Sequence, residues 1–249
     1  MKTVLATLLA LLIAVPCYAA PADDLILITE EYPPLNFTEY GLHRGIATDL
    51  LVEMLAATGS LKSHKDIASL PWARGYQMVR KQKNLLLFSM TRTSSRESQF
   101  HWVGPILQSE IVLLARKESQ LKLDNLQQLQ DRNLKVGVVL DDVGHLLLTE
   151  QNVSNRQIYP LNQGVQLAKM LAEKRFDLIA YDALVSRWNL SKLGFDPEDY
   201  EVVYSLQKAN YYFALNLETD PTLVTRLQKE LDRLTASGRL QTIIKGYLN

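Results

Sequence analysis

Short apolar runs alternate with amphipathic stretches along nearly the whole chain of 249 residues, and this alternation restricts the fold more than any other feature. Residues 25–28 read Leu-Ile-Leu-Ile, and 85–88, 111–115, 134–140 and 178–180 are similarly short and apolar, the pattern of strands buried on both faces. Residues 201–204 and 211–216 add further strand candidates. Helical spacing separates these runs at 48–57, 72–82, 126–130, 163–173 and 183–193; in the first, Leu50, Leu51, Met54 and Leu55 share one face and Gly59 ends the run. Near the C-terminus, Asp220-Pro221 supplies an N-cap followed by proline at the first helical position, which predicts a helix to about residue 236; Gly238 breaks it and 240–247 resumes. Strands and helices in alternation predict an α/β fold, with mostly parallel sheet covered by helices on both faces. The chain has no internal repeat, low-complexity tract or long Pro/Gly linker.

The N-terminus predicts export. Met1-Lys2 precedes an apolar run over 4–15 and then Pro16-Cys17-Tyr18-Ala19-Ala20, the layout of a secretory signal peptide spanning 1–19. That run is shorter than the about twenty residues needed to cross a bilayer. No other segment is as apolar, so the exported chain is expected to be soluble and periplasmic. Lipidation of Cys17 is the competing reading, opposed by Pro16 at a position where lipoprotein signals carry a small residue. Cys17 is the single cysteine, so processing removes every thiol, and with it disulfides, thiolate nucleophiles and cysteine-held metal. Basic and acidic residues number 27 each, and Lys2 alone among them falls in the leader, leaving a formal charge of −1. Such a near-neutral chain without basic clusters is not built for nucleic acid or anionic membranes. About 230 residues remain, enough for one large domain or two lobes.

The turn Ser89-Met90-Thr91-Arg92-Thr93-Ser94-Ser95-Arg96-Glu97 concentrates hydroxyls beside two guanidinium groups. A guanidinium is always charged and can bond both oxygens of a carboxylate, so a turn of this kind can grip a small anionic group. The competing reading is a pair of solvated loop arginines. Other chemistry is poorly supported. His43, His64, His101 and His145 are scattered without ligand spacing, and Asp141, Asp142 and His145 in a glycine-containing loop read as solvated groups, not a metal cluster. A Gly-x-Ser-x-Gly elbow, a Walker motif and a dinucleotide glycine motif are all absent, so neither a catalytic serine nor a cofactor is expected.

Four motifs in order carry a resemblance. They are Tyr32-Pro33-Pro34-Leu35-Asn36-Phe37 after the first strand, a Gly-x-x-x-Asp-Leu helix start from Gly45 to Leu50, the Met90-Thr91 to Arg96-Glu97 turn, and Phe176-Asp177 followed by Asp182. Together they resemble the family 3 extracellular solute-binding proteins of the periplasmic, amino-acid-binding type, from about residue 24 to the C-terminus. Pro71-Trp72-Ala73-Arg74 and Phe100-His101-Trp102-Val103-Gly104-Pro105 look like a less characterised branch. The resemblance implies the two-lobe type II periplasmic-binding-protein fold, with ligand held in a cleft between α/β lobes joined by two hinge crossings. Lobe 1 would take 22–113 and 207–249, and lobe 2 would take 114–206, with crossings at 111–115 and 205–210.

The same resemblance implies a set of ligand-binding residues. Arg96 occupies the position that grips an α-carboxylate, with Ser89 and Thr91 as hydroxyl and backbone contacts in the same turn. Tyr32 matches an aromatic covering the ligand and Trp72 an apolar wall, although core packing is the commoner fate of an aromatic. Asp182 matches the carboxylate that holds an α-amino group, and reads equally as the N-cap of a helix from Ala183. One departure stands out. After Val136-Gly137-Val138 the family has a Gly-Thr pair, whereas this chain has Asp141-Asp142-Val143-Gly144, and two acidic residues would repel a carboxylate. Either the loop points away, or the ligand bears extra positive charge or lacks a standard amino-acid head group. The expected ligand is therefore a small polar or zwitterionic solute, with Asp142 in its site.

The resemblance further implies a monomer that delivers its ligand to an ABC-type inner-membrane permease, without cofactor, metal or catalytic residue. The alternatives are a sensing module for a membrane receptor and a periplasmic enzyme of the cyclohexadienyl dehydratase kind. Fused sensors of this fold carry a membrane helix and a signalling domain, neither of which follows before Asn249.

Overall fold

The structure, a computed structural model, describes residues 21–248. The expected signal peptide, with Cys17, lies outside the described residues. Strands β1 (Ile26–Thr29), β2 (Phe37–Glu39) and β3 (Leu42–Arg44) precede α1 (Ile46–Ala57), β4 (Ile67–Ser69), α2 (Trp72–Lys81), β5 (Leu85–Thr91), β6 (His101–Val103) and β7 (Gln108–Arg116). Then follow α3 (Gln127–Asp131), β8 (Val136–Val139), α4 (Val143–Glu150), β9 (Ile158–Leu161), α5 (Gly164–Ala172), β10 (Leu178–Asp182) and α6 (Ala183–Lys192). The chain closes with β11 (Tyr200–Leu215), α7 (Pro221–Ala236) and α8 (Arg239–Leu248).

The strands lie in the order β4-β1-β5-β11-β7-β10-β8-β9, with β6 also on β11, and β2-β3 form a separate hairpin. At either end of the order the ladders are parallel: β4-β1-β5 on one side and β10-β8-β9 on the other. Between them β7 and β11 run antiparallel to each other and to their neighbours. The outer ladders thus have the α/β character expected from the sequence, and β7 and β11 connect them. Residues 111–115 of β7 pair with β10, whereas 211–215 of β11 pair with β5 and β6. The short stretch 108–110 against 208–210 sits between those two registers.

Packing follows from this topology. All seven residues of β5 are buried, the apolar run Leu85 to Phe88 on both faces of the sheet and Ser89 and Thr91 at its carboxyl end. On the β10 side, Leu178 and Ala180 face one apolar cluster with Leu113, Val136 and Leu148, while Ile179 and Tyr181 face another with Val112 and Leu114. This period of two shows both sheet faces covered. At the C-terminus, the Asp220 carboxylate accepts from the Thr222 amide at 2.8 Å, capping α7, whose Leu223, Leu227, Leu231 and Leu234 are buried at helical spacing.

Three local expectations need correcting. The two strand candidates at 201–204 and 211–216 are one 16-residue strand, β11, because pairing with β7 carries the polar stretch Gln207-Lys208-Ala209-Asn210 in extended form. The glycine-containing loop expected to hold Asp141, Asp142 and His145 as solvated groups ends at Asp142, which is buried at the N-cap of the helix α4, and His145 lies within that helix. Glycine is needed at Gly144 for proximity: a Cβ would lie 2.3 Å from the Ala180 carbonyl oxygen, so only a bare backbone lets the first turn of α4 approach β10. The edge strand β9, absent from the sequence expectation, contains Pro160, which an edge strand tolerates.

Candidate functional site

The parallel strands deliver chemistry to one place. Glu30, Glu31 and Tyr32 follow β1, Ser89 and Thr91 end β5, Asp141 and Asp142 follow β8, and Asp182 ends β10. Carboxyl ends of strands in open α/β sheets are where loops and helix N-termini leave room for a ligand. Here the two halves of the molecule touch across that space. The Tyr32 ring meets Tyr181 edge-on at 5.5 Å and Tyr211 at 5.8 Å, and the hydroxyls of Tyr32 and Tyr211 lie 3.3 Å apart.

Arg96 is the largest fully buried side chain of the described residues, at 1% exposure. One guanidinium nitrogen donates to the Thr91 carbonyl at 3.2 Å and another, across the cleft, to the Asp141 carbonyl at 3.4 Å. The guanidinium also lies 5.2 Å from the Trp72 ring centre and 5.1 Å from that of Tyr76, which stack on each other. Its Nε has no hydrogen-bond partner, and among the described residues no carboxylate comes within ion-pair distance. Trp72 donates its indole N–H to the same Asp141 carbonyl at 2.9 Å. The neighbouring Arg92 is different: it pairs with Glu97 and stacks on Trp102 and Tyr212, so of the two arginines in the turn only Arg96 reaches the cleft.

The acidic loop after β8 resolves into two roles. Asp141, with φ 59°, presents its carbonyl to Trp72 and Arg96, and its own amide meets His145 Nδ1 at 3.1 Å. Asp142 starts α4 and turns its carboxyl inward, at 5% exposure, with Oδ2 unpaired. Burial pushes its pKa up from 3.8 to about 6, while Arg96 and the Val143 amide hold it down. Asp182 is both buried and well bonded: Oδ1 accepts from the Val185 amide at 3.0 Å as the cap of α6, and Oδ2 from Ser109 Oγ and the Glu110 amide, each at 3.2 Å. Burial raises its pKa, and these donors together with Tyr211 oppose the rise.

All seven expected site residues, Tyr32, Trp72, Ser89, Thr91, Arg96, Asp142 and Asp182, are buried around this cleft. The Ser89 hydroxyl is already engaged by Asn36, whose amide in turn holds the Glu30 carbonyl at 2.8 Å, so Ser89 shapes the 30–36 turn. Thr91 serves Arg96 through its carbonyl. Sequence reasoning missed Glu30, Tyr76, Tyr181 and Tyr211. Glu30 is detectable in principle, because it is the first residue beyond β1; Tyr211 lies mid-strand and has no sequence signal. Burial drives the Glu30 pKa well above its ordinary value, with Asp142 and Glu31 adding to the rise and Arg96 opposing it.

The family profile of the bacterial extracellular solute-binding proteins, family 3, matches residues 25–249. The chain belongs to that family. Similar solved structures include a substrate-binding protein of an ABC uptake transporter from Streptococcus pneumoniae with bound histidine, at TM-score 0.79 and 17% identity over 92% of this chain and 94% of that one. ArtJ of Geobacillus stearothermophilus, an arginine-, lysine- and histidine-binding protein, gives 0.77 and 16% over 90% and 94%. A histidine kinase sensor domain similar to periplasmic binding proteins gives 0.77 and 17% over 92% and 97%. At such identities the likeness establishes the fold, the type II periplasmic-binding-protein architecture. No protein among the curated sequences matches the chain. No helix of the described residues is long and apolar enough to cross a membrane.

Proposed function

We propose that this family 3 protein is a periplasmic receptor whose lobes, 22–113 with 207–249 and 114–206, close on a small zwitterionic or amine-bearing solute for delivery to an ABC-type permease. The observation supporting this reading is that Arg96 and Asp182 are both buried, with Arg96 Nε and Asp142 Oδ2 still lacking partners, and the proposed division puts Arg96 and Asp182 in opposite lobes. Arg96 would take the solute carboxylate and Asp182 its ammonium, because a buried charge needs an opposite charge. Tyr32 and Trp72 would wall the site, with Ser89 and Thr91 holding its turn. Contacts to both lobes make the ligand favour the closed form, and closure presents a shape that a membrane partner can recognise. The amino-acid-binding neighbours agree with such a ligand.

A thermal-shift screen against amino acids, amines, organic acids and sugars tests the reading. A single ligand at a hundredfold excess over Kd adds about 2.7 kcal/mol of stability, so the melting temperature rises for a true ligand, and no rise for any solute contradicts the proposal. The solute should also be recovered chemically unchanged; turnover would move the protein to the enzymes. The kinase-sensor neighbour supports a second reading, in which the partner is a membrane receptor. Loss of solute uptake on deletion of the gene favours the permease, and retained uptake with a lost response favours the receptor.

A further inference from the structure

The charges of the cleft do not balance around a simple zwitterion. Among the described residues Arg96 is the cation acting on the cleft, against the carboxyls of Glu30, Asp142 and Asp182. If Arg96 binds a solute carboxylate and Asp182 an ammonium, then Glu30 and Asp142 are left over. Neither is held by the protein in the way Asp182 is. The Glu30 carboxyl, on a residue 8% exposed, enters no hydrogen bond among the described residues, and Oδ2 of Asp142 has no partner. The adjacent Glu31, by contrast, accepts from the Thr38 amide and hydroxyl and from Ser69. Tyr181, whose hydroxyl is likewise buried and unpaired, lies close enough to feel both carboxyls.

We infer that Glu30 from lobe 1 and Asp142 from lobe 2 form a seat for a second positive group, so that the solute carries an ammonium or guanidinium beyond its zwitterionic head. This rests on the binding reading above and narrows its substrate class. A cavity of about 110 Å³ opens beside Glu30, lined also by Glu31, Ser69, Pro71, Asn162 and Gln163, and so draws on both lobes; Asp142 is not one of its walls and approaches it through Asp141, whose carbonyl accepts from Trp72, the residue after Pro71. With a water occupying about 30 Å³ of liquid, that space suits a terminal cationic group. The other groups facing the pair are Arg96, Glu31 and Asp182, with Tyr32, Tyr181 and Tyr211 as phenols that burial keeps neutral. His145 points instead to the Asp141 amide. The described residues contain no cluster of three or more His, Cys, Asp or Glu arranged to hold a metal ion, which suits an organic cation better than an inorganic one. A cation here also links the lobes, since its two anions sit on opposite sides of the cleft.

Isosteric pairs test the seat without any mutation. Calorimetric titration would compare ornithine with norleucine, and putrescine with n-pentylamine, each pair equal in size and differing by one positive charge. The expected result is that the more cationic member of at least one pair binds on the order of a hundredfold more tightly, the scale for pairing buried charge. The advantage should shrink by about tenfold or more in Glu30→Gln and in Asp142→Asn, each checked for an unchanged folded spectrum. Equal affinities within both pairs would overturn the seat while leaving the binding reading intact. A thermal-shift hit confined to neutral or anionic solutes would do the same. If no solute of any kind binds, both proposals fall.

Discussion

The cleft and the outer face of lobe 1 contain similar side chains and differ in how completely those side chains are bonded. The outer face has a cavity of about 730 Å³ lined by Arg44, Asp49, His64, Arg239 and Tyr247, far larger than the space beside Glu30. Its polar groups satisfy one another. Asp49 takes His64 Nε2 at 3.0 Å and the Tyr247 hydroxyl at 2.6 Å, Tyr247 accepts from the Gly45 amide, and Arg239 pairs with Glu53. In the cleft the opposite holds: Arg96 Nε, Asp142 Oδ2 and Tyr181 Oη are buried and unpaired. Leaving a buried polar group unpaired costs about 1–3 kcal/mol. Between these two regions unmet bonding, and not cavity size, distinguishes the cleft, although single buried atoms without a hydrogen bond also occur at Thr48, Arg116, Ser186, Asn189 and Thr219.

The comparison breaks if Arg96 proves structural. Arg96→Ala should weaken binding of a carboxylate-bearing solute by about 2–5 kcal/mol, measured by calorimetry, because it strips a buried charge of its partner. An unchanged Kd would remove Arg96 from the site.

Acidity gives the next effect. A carboxyl whose closed-state pKa lies above its free value favours closure when protonated. For Asp142, moving from 3.8 to about 6, ligand-free closure is unopposed below about pH 4 and increasingly opposed as the pH climbs through 6, by about 3 kcal/mol in all. A solute with no second positive group leaves that opposition in place, so its affinity should fall as the pH rises from 4 to 7, whereas a cationic solute meets the ionised form and should lose much less, and the difference should shrink in Asp142→Asn. The same pH profile for both kinds of solute would show that Asp142 does not face the ligand.

Asp182 joins two functions, and they can be separated by what else fails. Asp182→Ala removes the α6 cap and the acceptor for the Glu110 amide, so it should lower stability by about 1–2 kcal/mol in denaturant titration, besides weakening the binding of an ammonium. The outer face supplies the control. Tyr247→Phe removes the bond to Asp49 and should cost about 1 kcal/mol of stability with no change in solute affinity. A shift in Kd there would erase the contrast between the two regions.

Much of this was legible in the sequence, for physical reasons that also explain the gaps. Asp220-Pro221 announced α7 because capping is local, and 85–88 announced β5 because the stretch of a strand packed between two apolar layers is itself apolar. Arg96 and Asp182 were singled out through their motifs, and both are buried in the fold. The helix α4 was not, since Gly144 is explained by the approach of Ala180, a contact 36 residues away in the chain. Asp141 and Asp142 illustrate the limit of residue type: adjacent and identical, one offers a carbonyl and the other a carboxyl, and backbone direction alone decides which. Glu30 lacked a motif of its own, and its role depends on the absence of partners, which only the folded arrangement reveals.

The most direct test of ligand-driven closure is a distance across the rim of the cleft. Thr38 and Lys192 line opposite sides of one groove there, and both are exposed. Spin labels on Thr38→Cys and Lys192→Cys, read by double electron–electron resonance, should give a longer, broader distance distribution for the ligand-free protein. A saturating solute that raises the melting temperature should convert it to a shorter, narrower one. An identical distribution with and without bound solute would contradict closure as the link between binding and signalling to the membrane partner.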